Sequence, residues 1–192
     1  MLAWTLERLL AAGMDRIVVG LPPDRLAGDL TVIDSDRVDW IAGGATRQET
    51  VARCLAAATG APDDLIVVHD GARPAVSVED IAAVLEAARH ADGAVLGRPL
   101  ADTLKRLEGE RIETTVDRHG LFRAETPQVF RRDIFCRALA QAERDHFLGT
   151  DESALVERLP GARVIAVAAH HPNPKLTEPA DRGLLERLLV HS

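Results

Sequence analysis

Asp70 stands just beyond the most apolar stretch of the chain, Leu65-Ile66-Val67-Val68, and opens the run Asp70-Gly71-Ala72-Arg73-Pro74. A carboxylate delivered to the C-terminal edge of a buried strand can ligate a hard cation such as Mg²⁺, which takes oxygen donors. Gly71 permits a sharp turn there, and Arg73 offers a forked donor suited to phosphate. The same residues are equally consistent with Asp70 capping a turn and pairing with Arg73 at the surface.

Three more segments fall between pattern elements. In doubly wound sheets, ligands bind outside the carboxyl ends of the strands. Gly43-Gly44-Ala45-Thr46-Arg47 precedes a helical pattern. Paired glycines let a backbone approach a flat ring or a phosphate, and a helix N-terminus favours anions; a plain tight turn is the commoner reason for such a pair. Asn173-Pro174-Lys175-Leu176-Thr177 precedes the last helical pattern. Lys175 lies near that helix's N-terminus, where the dipole disfavours a cation, so it suits an anionic ligand better than it suits the helix. An exposed lysine without a role is the plain alternative. The stretch 98–122 is polar, rich in charge and threonine, with no helical stripe. Asp102-Thr103-Leu104-Lys105 and Thr115-Val116-Asp117-Arg118 can pair as a hairpin around Glu108-Gly109-Glu110. A protruding hairpin buries little by itself. Packed on a second subunit, it would carry Thr103 and Arg118 towards a neighbour's pocket; composition alone favours a solvated loop. No histidine shows metal-ligand spacing, and His170-His171 reads as a solvated pair.

These segments need a scaffold. Residues 2–12 read as an amphipathic helix with Leu2, Leu6, Leu9 and Leu10 on one face and Gly13 as its stop. Short apolar strands follow at 16–19, 38–41 and 65–68, with a helix over 47–58 between the last two. Ser77 starts a helix to about Ala88, with Asp80 as its capping-box partner. Further strands are expected at 94–96, 128–130 and 163–168, and helices over about 132–143 and 151–158. A last helix runs from Glu178 to about Val190, with Thr177 as its N-cap and Pro179 in its first turn. Helices alternating with all-apolar strands imply a parallel sheet covered on both faces. The opening is unusual for this pattern: a helix comes first, and the first forty residues contain neither GxGxxG nor GxxxxGK.

Composition narrows the class. The 192 residues fit one domain with a core, and the 46% hydrophobic and 28% charged content is that of a globular chain. A net charge of −7 argues against a general nucleic-acid binder. Aromatics at 3%, with no tyrosine, remove the usual stacking platform for single strands. A small anionic substrate needs only a few local cations. No apolar run approaches the roughly 20 residues that span a membrane. The N-terminal pattern carries Glu7 and Arg8, unlike a signal peptide, which points to a cytoplasmic protein. Cys54 and Cys136 read as small buried hydrophobes.

Six motifs, in one order over nearly the whole chain, carry a resemblance. They are GGATRQETV (43–51), VHDGARP (68–74), ADTLKR (101–106), TVDRHGLFRAETPQVF (115–130), GTDESALVE (149–157) and NPKLTEPAD (173–181). Together they resemble the 2-C-methyl-D-erythritol 4-phosphate cytidylyltransferase family of the non-mevalonate isoprenoid pathway. The resemblance implies a Rossmann-like α/β fold: a mostly parallel sheet with helices on both faces and a dimerisation arm at about 98–122. It implies a single nucleotidyltransferase domain over 1–192, working as a homodimer with interlocked arms. It further implies CTP and Mg²⁺, with a substrate phosphate oxygen attacking the α-phosphorus of CTP and pyrophosphate leaving.

By motif, Gly43, Gly44 and Thr50 are implied cytidine contacts, and Asp70 the metal and substrate-positioning carboxylate. Arg73, Thr103, Arg118, Thr126 and Lys175 are implied substrate-phosphate or positioning residues, with Thr103 and Arg118 acting across the dimer. Thr150 is implied at the nucleotide or substrate rim. Three departures stand out. The family begins with a strand and a glycine-rich loop, from which the resemblance implies native sequence upstream of Met1. Without that strand, its neighbours would expose unpaired edges. Pro174 stands where the family usually has isoleucine, and Thr50 where serine is common. Ribitol 5-phosphate as the acceptor, and a non-catalytic dimeric module of the same fold, are the rival readings.

Overall fold

A computed structural model describes residues 1–26, 33 and 35–190. The chain opens with α1 (Leu2–Ala11), β1 (Ile17–Leu21), the short α2 (Pro23–Leu26), β2 (Val38–Ala42) and α3 (Arg47–Ala57). Then come β3 (Leu65–Val68), α4 (Val78–Arg89), β4 (Gly93–Pro99), β5 (Leu104–Glu108), β6 (Arg111–Val116) and β7 (Phe122–Arg131). The chain continues through α5 (Arg132–Arg144), α6 (Ser153–Val156), β8 (Val164–Ala168), a 3-10 turn (Pro179–Asp181) and α7 (Arg182–Val190).

Four strands form the main sheet in the order β3-β7-β4-β8, with β7 antiparallel to both β3 and β4 and β4 parallel to β8. Three of the four strands run in one direction, and the fourth, β7, is antiparallel and central, so the sheet is mixed. The cause is the arm: β4 leaves the sheet, turns through β5 and β6, and returns beside itself, which only an antiparallel strand can do over so short a path. Arg98 and Phe122, at the expected limits of the arm, therefore belong to the sheet, where Arg98 pairs with Arg123 and Pro99 with Phe122. The hairpin lies where expected, with Glu108 opposite Arg111 and Gly109 at φ 60° in its turn, a conformation glycine adopts without cost.

Period-two alternation sends neighbouring β7 residues to opposite faces. Phe130 packs with Phe135, Ile134, Ala138, Leu55 and Leu155, contributed by α3, α5 and α6. Val129 packs with Ala94, Leu96, Val84 and Ala88 under α4. The Phe130 and Phe135 rings stack with centroids 5.0 Å apart. Burying such side chains is worth about 1.5–3 kcal/mol each. Cys136 falls on the outer face of α5 and is exposed, and Cys54 is half-buried; the core side of α5 is already taken by Ile134, Phe135 and Ala138.

The strands β1 and β2 form a separate parallel pair, with Leu6 and Leu9 of α1 packed on Ile17 and Val38. Each of β1 and β3 has one paired edge. Their other edges face a groove of about 1240 Å³, lined by residues 16–21 on one wall and 63–72 on the other. Consecutive residues of both strands line it, the signature of an edge rather than a face.

Three local expectations change. The helix expected over 151–158 shortens to α6, at whose start the Asp151 carboxylate accepts from the Ala154 N–H at 3.0 Å. Ser77 caps α4 by accepting from the Asp80 backbone N–H at 3.0 Å, but the Asp80 carboxylate turns away to accept from the N–H groups of His170 (2.9 Å) and His171 (3.1 Å). Glu178, not Thr177, caps the last helical segment, in a capping box with Asp181. The Thr177 hydroxyl donates to Asp181 at 2.9 Å. No helix among the described residues is long and apolar enough to cross a membrane.

Candidate active site

The loops after β2, β3 and β8 converge on Asp70. Its side chain is only 13% exposed and is held on both oxygens. Arg47, the first residue of α3, donates to Oδ1 through Nη2 (2.9 Å) and Nε (3.2 Å). The Lys175 ammonium lies 2.9 Å from Oδ2, with the Arg73 Nε at 3.8 Å. Burial pushes the Asp70 carboxyl up, but the hydrogen bond from Lys175 and the charge of Arg47 outweigh that and hold it below its ordinary range. Asp70 is thus neither a simple turn cap nor a surface partner of Arg73. It is an anion enclosed by three cations at a strand end.

Arg47 does a second thing: its Nη1 donates to Glu152, whose side chain is 2% exposed. Burial raises the Glu152 carboxyl, and Arg47 offsets this only in part. Neither Arg47 nor Glu152 was singled out by motif chemistry. They are 105 residues apart, and each sits in a segment that reads as an ordinary polar helix start.

Lys175 is delivered by a short, tethered loop. Asn173, 2% exposed, donates through Nδ2 to the Thr126 carbonyl (2.8 Å), while its own carbonyl accepts from the Arg73 Nη1 (2.7 Å). One residue beyond Lys175, the Leu176 N–H donates to the Ala72 carbonyl at 2.9 Å. Pro174 sits inside this tether and donates nothing to it.

The paired glycines turn tightly at the end of β2. Gly43 N–H goes to the Leu21 carbonyl (2.7 Å), Gly44 N–H to the Thr50 hydroxyl (2.9 Å), and Ala45 N–H to the Glu49 carboxylate (2.8 Å). A Cβ on Gly44 would sit 2.5 Å from three atoms of the Glu49 side chain, so close approach is what the glycine provides. Thr50 returns its proton to the Thr46 carbonyl at 3.0 Å. All three N–H groups are already spent on β1 and α3, so this turn is a shaped wall and not an anion cradle.

Thr150 is exposed, next to Gly149, whose N–H donates to Gln48 of α3 at 3.0 Å. Thr126 is buried beside Asp70, accepting its N–H at 3.0 Å. Thr103 and Arg118 lie on the exposed arm, and no hydrogen bond or ion pair among the described residues joins them to the Asp70 group. One chain therefore assembles Asp70, Arg73, Thr126 and Lys175, and leaves Thr103 and Arg118 apart.

The profile of the family described as 2-C-methyl-D-erythritol 4-phosphate cytidylyltransferase matches residues 1–191. The chain belongs to that family. It is similar to the cytidylyltransferase of Acidobacterium capsulatum, 41% identical over 153 residues that cover 78% of this chain and 64% of the relative. It is 41% identical to that of Bacillus velezensis, covering 79% of this chain and 65% of the relative. The chain thus spans just under two thirds of the length of these two. With the enzyme of Cereibacter sphaeroides it shares 40% identity, covering 94% of this chain and 79% of the relative. A crystal structure of 4-diphosphocytidyl-2C-methyl-D-erythritol synthase superposes with a TM-score of 0.87 at 36% identity, covering 98% of this chain and 89% of that one. The cytidylyltransferase of Thermus thermophilus gives a TM-score of 0.83 at 37% identity, covering 96% of this chain and 86% of that one. Membership in the cytidylyltransferase family gives the Asp70 group its chemical setting: a carboxylate and several cations at the strand ends of a nucleotidyltransferase fold.

Proposed function

We propose that this chain transfers CMP from CTP to 2-C-methyl-D-erythritol 4-phosphate, releasing pyrophosphate and forming 4-diphosphocytidyl-2-C-methyl-D-erythritol. The observation that carries this reading is the Asp70 carboxylate held between Lys175 and Arg47 at the carboxyl ends of the strands. In-line displacement at phosphorus needs little covalent help from a protein; positioning and charge stabilisation do most of the work. A phosphate oxygen of the polyol attacks the α-phosphorus, and the bond to pyrophosphate breaks. Lys175 and Arg73 offer cations to the attacking phosphate, and Arg118 completes that grip from the arm of a second copy in a homodimer. Gly43, Gly44 and Thr150 border the nucleotide.

Mg²⁺ fits this donor set in a limited way. Asp70 is the carboxylate of the charged group that lines the groove, and both of its oxygens are engaged by cations. A magnesium site in a nucleotide enzyme is often built from one or two carboxylates plus phosphate oxygens. No cluster of three or more potential ligands exists among the described residues, so most of the shell would come from the triphosphate and water. When bound, the ion would neutralise the triphosphate and ease departure of pyrophosphate. The reading includes a single-domain enzyme of the cytoplasm.

Pyrophosphate release from CTP, measured with methylerythritol 4-phosphate and separately with ribitol 5-phosphate, tests it. Release with the first and not the second is expected. Preference for ribitol phosphate would replace the substrate, and no release with either would remove the activity.

A further inference from the structure

His69 lies between β3 and Asp70, and the reaction outlined above gives it no part. Its Nε2 is 3.1 Å from the Arg73 carbonyl oxygen. A carbonyl only accepts, so this nitrogen carries a proton. Its Nδ1 is 3.1 Å from the Thr126 hydroxyl, and that hydroxyl already receives the Asp70 N–H at 3.0 Å. Neither ring nitrogen touches a carboxylate. The ring is half-buried and lies near Arg73, and neither nitrogen is hydrogen-bonded to a carboxylate, which favours the neutral form. In the neutral ring the proton sits on Nε2, Nδ1 is an acceptor, and the single hydroxyl proton of Thr126 must go to it.

This leaves Thr126 with nothing to donate. Phosphate oxygens accept hydrogen bonds, and a ligand residue for them must offer a proton. Thr126 is 4% exposed, and its carbonyl is also occupied, by Asn173. The bonds instead close a loop around one turn. Asp70 N–H reaches Thr126, Thr126 reaches His69, His69 reaches the Arg73 carbonyl, and Arg73 N–H returns to the Asp70 carbonyl at 3.0 Å.

We propose that His69 and Thr126 act as one positioning unit, in which Thr126 gives its only proton to His69 and thereby fixes the Asp70–Arg73 turn without touching the substrate phosphate. The kinetic consequences rest on the cytidylyltransferase reading; the hydrogen-bond arrangement does not.

Nitrogen NMR of the ¹⁵N-imidazole-labelled protein at about pH 7 tests the arrangement directly. The Nε2–H tautomer of His69 is expected; an Nδ1–H tautomer or an imidazolium would overturn the proposal. In steady-state assays, Thr126→Val should lower kcat about tenfold while moving the KM for the polyol phosphate less than about twofold. Thr126→Ser, which keeps the hydroxyl, should return most of the rate. A rise in that KM of about tenfold with kcat retained would make Thr126 a phosphate ligand and sink the proposal. The pair His69→Gln and Thr126→Val should together be no worse than either alone, whether followed by rate or by thermal midpoint; additive losses would show two independent roles. A wild-type protein without turnover would count against the reaction, and the tautomer and the thermal coupling would then decide the proposal alone.

Discussion

The Asp70 group and the arm are built on opposite plans. Asp70, Arg47, Glu152, Asn173 and Lys175 come from four separate stretches and are tied to one another by at least one hydrogen bond or ion pair each, except where a loop neighbour does the tying. The arm is a two-stranded ribbon whose strands are exposed almost throughout, with Leu104, Leu107 and Ile112 left 39%, 57% and 59% exposed. The first region is organised by a single chain. The second has surface to offer that no described residue of its own chain covers. Damage to the first should therefore reach the fold, while damage to the second should reach only the rate.

Arg47→Met is the most severe way to probe that contrast. It strands the Glu152 carboxylate, whose Oε2 already lacks a hydrogen-bond partner. A broken buried pair costs about 3–5 kcal/mol, and the exposure of Arg47 brings the expectation to about 2–3. Adding Glu152→Met should recover most of that loss. Chemical denaturation of the two single variants and the double variant measures it, and a double variant less stable than Arg47→Met would refute the coupling.

The arm should answer differently. Arg118→Ala is expected to slow turnover roughly thirtyfold with stability held within about 0.5 kcal/mol. Mixed with Lys175→Ala chains, it should regain about a quarter of wild-type activity, since half the dimers are mixed and one of their two sites is intact. If mixing restores nothing, each site draws on one chain only.

The smallest effect sharpens the first half of the comparison. Asp80→Asn loosens the anchor of His170 and His171, upstream of the Lys175 loop, and should cost about 1–2 kcal/mol near neutral pH. Burial raises the Asp80 carboxyl, but the backbone N–H groups of His170 and His171 prevail and lower it. Its stabilisation is thus present above the unfolded value of about 4 and lost as pH falls through the folded one. The gap between wild type and variant should shrink below about pH 4. Thermal midpoints recorded from neutral pH down into the acid range would show a constant gap if the reading is wrong.

Much of this was legible in the residues, for identifiable reasons. Asp70 was found because it follows a continuous apolar strand, and Lys175 because a cation near a helix N-terminus is out of place. The hairpin was visible from its turn. The direction of β7 was not, since an apolar run reads the same in either direction. Arg47 and Glu152 escaped because a charge bridge across 105 residues leaves no local trace. The states of Thr50 and Thr126 were hidden too: a hydroxyl's partners depend on backbone groups brought close by folding, and a motif records only that a hydroxyl is present.

The stitching of the Lys175 loop has one more effect. Asn173 and Leu176 bracket the lysine and bolt its peptide to the same short stretch that carries the aspartate. Ammonium and carboxylate thus ride on one chassis. If the β1–β2 ribbon swings across its groove, the spacing of that pair should stay put, because the Arg73–Asn173 and Ala72–Leu176 bonds that set it do not involve the ribbon.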